Sequence, residues 1–181
     1  MIEFITSIDK SILLFIQEFI RCNFLNKIMT FITTLGNGGF IWIALGVILI
    51  SFKKSRKIGI LVLCALILEF TVNDLILKNL VERVRPFNQF SDIIPLVKKP
   101  TSFSFPSGHT SSSFAAAGII FLYTKKKYGI PALILAILIG FSRLYLGVHF
   151  PSDVIIGCLV GIISSYVVYK VDKKCEINRK A

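Results

Sequence analysis

Acidic residues are scarce in this chain: 10 Asp and Glu stand against 21 Lys and Arg, a formal net charge of +11 over 181 residues. Charge of either sign is also low, at 17% of the sequence, where a soluble domain carries about 25%. With 54% hydrophobic residues and a mean hydropathy of +0.75, this composition excludes an ordinary soluble domain and fits an integral membrane protein. Cysteine is sparse and scattered, at Cys22, Cys64, Cys158 and Cys175. No CxxC occurs, so neither a zinc site nor a disulfide framework is indicated. The first ten residues, "MIEFITSIDK", lack a basic opening and a small-residue cleavage site, so no removable signal peptide is expected. Histidine occurs only twice, at His109 and His149.

The positive charge is clustered. It falls in "KKSRK" (53–57), "KKK" (125–127) and "KVDKKCEINRK" (170–180), each between or after apolar runs. Cytoplasmic loops of membrane proteins show this pattern, and no single polar face suits a nucleic acid. A helix needs about 20 apolar residues to cross a bilayer. Residues 57–80, 107–124, 129–147 and 152–170 meet or approach that, and 38–52 forms a shorter fifth run. Near the N-terminus, Ile5, Ile8, Ile12, Phe15, Ile16 and Phe19 follow helical spacing. Asp9, Lys10, Gln17, Glu18 and Arg21 fill the other positions. This predicts an amphipathic helix lying in the membrane interface, followed by a short helix near 24–35 that ends at "GNGG". The expected fold is all-α: an integral membrane helical bundle with five transmembrane helices, six being the alternative. It forms a single domain over 1–181, with an interfacial N-terminal segment (1–36) and a bundle core (38–171). Placing the basic clusters in the cytoplasm puts the 81–106 loop and the 148–151 turn together on the outer side.

Three polar segments fall at that outer side: "KNLVERVRP" (78–86), "FPSGHTSSS" (105–113) and "SRLYLGVHFPSD" (142–153). Lys78, Arg83, Arg85 and Arg143 are costly facing lipid. Each alone reads as well as a cation snorkelling to headgroups, but four beside both histidines suggest a phosphate pocket, because the Arg fork and the Lys point charge suit phosphate oxygens. Pro106 and Ser107 read as a helix start and cap. Gly108 lets backbone approach a ligand, and free N–H groups at a helix start attract anions. The serines at 111–113 read as close-packing residues. A membrane histidine is more often packed than catalytic. Two on one face, next to phosphate-binding cations, suit a nucleophile and an acid–base group. Asp153 lies four residues beyond His149, one helical turn away, although "FPS" between them argues against an unbroken helix. Two His and one Asp could also hold zinc, but the surrounding cations favour an anion.

These segments together resemble the type 2 phosphatidic acid phosphatase superfamily of membrane lipid phosphatases. The signature is Lys, six residues, Arg-Pro; then Pro-Ser-Gly-His; then Ser-Arg, five residues, His, three residues, Asp, with every fixed position matched. The resemblance covers about residues 57–170, most of the chain. It implies that His149 is the nucleophile taking the phosphoryl group, that Asp153 orients it, and that His109 protonates the leaving oxygen and then activates water. It further implies that Lys78, Arg85, Ser107, Gly108 and Arg143 bind the phosphate, with no metal and no cofactor. Arg83 and Glu82 stand outside the signature; Arg83 is expected to touch a second phosphate or a headgroup, and Glu82 to pair with it.

The implied partner is a lipid phosphate in the plasma membrane, met on the extracytoplasmic face, with no nucleic acid and no obligate protein partner. Undecaprenyl diphosphate is the favoured substrate. Phosphatidate, phosphatidylglycerol phosphate and lipid A phosphates are the alternatives. An anion transporter would spread its cations through the membrane depth, whereas these cluster at helix ends.

Overall fold

A computed structural model describes residues 2–178. Among them the regular structure is all helical. Helix α1 (Ile2–Phe15) runs into a wider π turn at Ile16–Ile20. Helix α2 (Asn23–Leu35) meets α3 (Phe40–Ser51) at 46° across the break that begins at Gly36. Helix α4 (Arg56–Phe70) continues through a π segment (Thr71–Leu77) into α5 (Lys78–Val81). A short α6 (Pro86–Gln89), a long loop, α7 (Gly108–Tyr123), α8 (Lys126–Tyr145) and α9 (Pro151–Asn178) complete the bundle. The α4–α6 stretch, α8 and α9 are each long and apolar enough to cross a bilayer, and the bent α2–α3 pair makes a fourth candidate.

Helix α7 is the central helix, packed against α4, α8 and α9. Its "SSSFAAAG" face is small-sided, which is how helices approach closely where lipid removes the hydrophobic drive to associate. Ala115, Ala116, Ala117 and Ile119 are fully buried, joined by Trp42, Val62, Ala65 and Ile139. The serines at 111–113 are buried, as close packing requires, and Ser113 also accepts a 2.9 Å bond from the Trp42 indole N–H. Gly161 of α9 lies so near α7 that a Cβ would come within 2.4 Å of the Ser111 carbonyl oxygen.

The ends of the bundle differ. Lys57, Tyr123, Asp172, Lys173 and Glu176 meet at one end through ion pairs and a Tyr123–Asp172 hydrogen bond. The described part of the basic clusters lies near this end, and Arg179 and Lys180 of the 170–180 cluster lie outside the described residues. The three polar segments gather at the other end.

The N-terminal region corrects the expectation. Helix α2 is part of the bundle, burying Met29 and Thr33 and packing on α8. On α1 the inward face is Asp9, Leu13 and Ile16, while Ile5, Ile8, Ile12, Phe15 and Phe19 are exposed. The exposed stripe is apolar, and the buried face sets Asp9 beside Leu13 and Ile16, the last of them a member of the expected apolar stripe. The polar contacts of α1 and the turn after it go to the end carrying the polar segments: Lys10 with Asp92, Asp9 with Ser152, Gln17 with Ile94, and Arg21 with the Tyr145 carbonyl.

The α7–α9 contact yields a test. Gly161→Ala forces a methyl against rigid backbone, and overpacking of this kind costs about 1–3 kcal/mol. Thermal unfolding in detergent should show a clearly lowered midpoint; an unchanged midpoint would contradict the close approach.

Candidate active site

The site is built where chain direction changes. Gly147 follows α8 with φ +70°, a conformation that favours glycine. That turn carries His149 past the helix end, and α9 starts only at Pro151, so the "FPS" break is real. Asp153 sits in the first turn of α9, fully buried behind His149. Across from it, α7 begins with Gly108 and His109, and Arg85 stands just before Pro86 opens α6.

Lys78, Arg85, Gly108, His109, Arg143 and His149 all line one cavity of about 1160 Å³. Thus six of the eight residues expected from the sequence converge, although they come from segments far apart in the chain. Asp153 does not line the cavity, in keeping with an orienting role behind the histidine. Ser107 does not line the cavity either: it is fully buried, its hydroxyl oxygen accepting from Thr110 at 2.9 Å and its N–H donating to the Asp153 carbonyl at 3.1 Å, which ties α7 to α9.

The hydrogen bonds around His149 fix its tautomer. Arg85 Nη1 lies 3.2 Å from Nε2, and a guanidinium can only donate, so Nε2 accepts and Nδ1 carries the proton. Nδ1 faces Asp153 Oδ2 at 3.5 Å, longer than a full hydrogen bond. Burial, the largest effect, lowers the His149 pKa to about 4; the Asp153 contact opposes this, and Arg143 and Arg85 add to the lowering. The imidazole is therefore neutral near pH 7, with its Nε2 lone pair toward the cavity.

The cations are held by different means. Arg85 donates to the carbonyl oxygens of Ser102 (2.7 Å), Val148 (2.8 Å) and Phe103 (3.2 Å), and to the Ser102 hydroxyl at 3.1 Å. Arg143 donates to the Thr33 hydroxyl at 2.5 Å, and its buried Nε has no hydrogen-bond partner among the described residues. Lys78 pairs with Asp74 one turn before it. His109 Nε2 lies 2.9 Å from Asn37 Oδ1. An anion entering here meets two guanidiniums, an ammonium and two imidazoles.

Arg83 departs from expectation. It does not pair with Glu82, nor does it line the cavity; it donates to Asp153 Oδ1 (2.7 Å), Ser152 Oγ (2.7 Å) and Asp9 Oδ2 (2.8 Å). The sequence reading also missed Asp9, Thr33, Asn37, Ser102 and Ser104, and only Asp74, four residues before Lys78, carried a local signal.

Fold and site together define a membrane-embedded helical protein built to hold an anionic group between cations and histidines. The chain belongs to the PAP2 superfamily, which it matches over residues 57–177. It is 33% identical over 155 residues to an undecaprenyl-diphosphatase of Sulfolobus acidocaldarius, covering 86% of this chain and 74% of that protein. It is 35% identical over 174 residues to phosphatidylglycerophosphatase B of Bacillus subtilis, covering 89% and 82%. The crystal structure of a PAP2-type phosphatidylglycerolphosphate phosphatase from Bacillus subtilis superposes with a TM-score of 0.78 at 34% identity, covering 93% of this chain and 86% of that one.

The tautomer is open to direct measurement. In protein labelled with ring-15N histidine, with a His109→Gln variant to assign the signals, His149 should remain the neutral Nδ1–H form near neutral pH. It should protonate only as the pH falls to about 4. An imidazolium already formed at about pH 6, near the ordinary histidine value, would contradict this geometry.

Proposed function

We propose that this protein hydrolyses the phosphate ester or diphosphate of a membrane lipid through a phosphohistidine intermediate, and that undecaprenyl diphosphate is its substrate. The carrying observation is His149, with Nε2 turned to the cavity, Nδ1 turned to Asp153, and Arg85 beside the reacting nitrogen. Phosphoryl transfer depends mainly on positioning and charge stabilisation, which this cavity supplies. The Nε2 lone pair attacks phosphorus as the bond to the leaving oxygen breaks, and His109 gives that oxygen a proton. Water then attacks the phosphorus, His109 takes back a proton, and the P–N bond breaks to release inorganic phosphate. Arg85, Arg143 and Lys78 neutralise the phosphoryl oxygens throughout, and the N–H groups opening α7 at Gly108 face the same anion.

The named activities of the relatives support both a diphosphate and a phosphate monoester as substrates. Undecaprenyl diphosphate is preferred because an undecaprenyl-diphosphatase is 33% identical to this protein over 86% of the chain. Phosphatidate, phosphatidylglycerol phosphate and lipid A phosphates are the alternatives, all reaching the site as membrane lipids.

We place the single domain in the plasma membrane with five crossings: α3, α4 with its continuation, α7, α8 and α9. The cavity opens on the extracytoplasmic face, opposite the basic clusters. Helix α1 lies in the outer interface. The support is that its polar contacts all go to the site end of the bundle, while its apolar stripe is exposed.

Purified protein in detergent, offered undecaprenyl diphosphate, phosphatidate and phosphatidylglycerol phosphate, should release phosphate fastest from the first. His149→Ala should lower turnover on every substrate about a thousandfold or more, the scale on which an essential nucleophile acts, with folding intact. Substantial residual turnover would overturn the phosphohistidine route. Because cations of the chain itself neutralise the phosphate, activity should persist in EDTA; loss of activity that Mg²⁺ or Zn²⁺ restores would count against that arrangement.

A further inference from the structure

Behind the cavity lies a line of alternating charge that the phosphate never touches. Asp153 is completely buried, and both its oxygens are engaged. Oδ2 accepts the Ser104 hydroxyl and the Phe150 N–H (2.8 Å) and faces His149; Oδ1 accepts Arg83. Arg83 lies 4.0 Å from the centre of the Phe150 ring. Its second guanidinium nitrogen goes to Asp9, which is only 3% exposed and comes from α1, more than 140 residues away from its other partner, Ser152. Asp9 also accepts from the Ser152 N–H at 3.0 Å and the Ser152 hydroxyl at 2.5 Å.

The order of charge is carboxylate, guanidinium, carboxylate, imidazole. Arg83 alone would spend the charge of Asp153, leaving little to support a histidine that becomes cationic on phosphorylation. A second carboxylate on the far side of Arg83 removes that conflict. Arg83 then fixes the orientation of Asp153, while Asp153 keeps its charge for His149. We propose that Asp9 and Arg83 are positioning residues for catalysis, through which the N-terminal helix sets how strongly Asp153 supports His149. This rests on His149 being the nucleophile, but it assigns function to residues outside the fixed positions of the signature and outside the cavity wall.

The test compares Asp9→Asn, Asp9→Glu, Arg83→Met, Arg83→Lys and the double variant Asp9→Asn/Arg83→Met, with Lys10→Ala as control. Lys10 sits beside Asp9 and pairs with Asp92, so its loss weakens the docking of α1 without touching Arg83. Asp9→Asn should lower kcat about tenfold, the range of coupling between contacting groups, with KM within about twofold of wild type. Asp9→Glu should recover part of the loss. Arg83→Met should lower kcat at least as far, Arg83→Lys should fall between it and wild type, and the double variant should be no slower than Arg83→Met, since Asp9 acts only through Arg83. Lys10→Ala should keep the wild-type kcat.

A wild-type kcat in Asp9→Asn would overturn the proposal. So would losses that multiply in the double variant, or a Lys10→Ala loss equal to that of Asp9→Asn. If Asp9→Asn does not fold, the kcat and KM of Asp9→Glu and Arg83→Lys decide: a fall in kcat at constant KM supports the role, and wild-type kcat in both refutes it. The parent reading fails separately. Active His149→Ala protein refutes the phosphohistidine, whereas inactive His149→Ala with fully active Asp9→Asn refutes only the positioning role.

Discussion

The two guanidiniums of the site are held by neutral oxygens, whereas the Lys78 ammonium pairs with Asp74, and the rest of the structure serves the guanidiniums. Arg85 rests on three backbone carbonyls and a hydroxyl, and Arg143 on a threonine hydroxyl. Dipoles of this kind orient a guanidinium without cancelling it, so the full charge remains for an anion. A carboxylate in the same place would satisfy the arginine and spoil the pocket. Such an arrangement is unfavourable on its own, because desolvated like charges repel. The accepting oxygens come from the loop after α6, the turn after α8 and the last turn of α2, segments that the bundle packed around α7 brings together.

Arg83 shows the opposite treatment only two residues from Arg85. It is paired with carboxylates on two sides and faces away from the cavity. Arg83 and Arg85, on either side of Val84, thus set a spent cation beside an available one. Sequence alone assigns both to the same cationic cluster; the difference comes from which carboxylates the fold delivers.

Much of this was legible before any coordinates. The apolar runs marked α3, α4 with its continuation, α7 and α8 to within about three residues, because length and hydropathy are local properties; the polar last turns of α9, which ends at Asn178, and the short α6 carried no such mark. The signature segments named Lys78, Arg85, Gly108, His109, Arg143 and His149, all of which meet in one cavity. What was not legible is of another kind. The spacing that placed Ser107 among residues facing the cavity did not show its hydroxyl bonded to Thr110. The apolar stripe on α1 was legible, but the docking of its opposite face through Asp9 was not. Asp9, Thr33 and Asn37 carry no local mark; they matter through partners 72 to 143 residues away.

Helix α7 has 16 residues. At about 1.5 Å per residue it rises about 24 Å, less than the hydrocarbon thickness of about 30 Å in a typical bilayer. One or both of its ends are thus recessed below the headgroup plane unless the membrane pinches inward around it. Where the recessed end is the one bearing His109, a lipid must dip its polar end to be processed, and the work of that descent grows with the thickness of the surrounding leaflet.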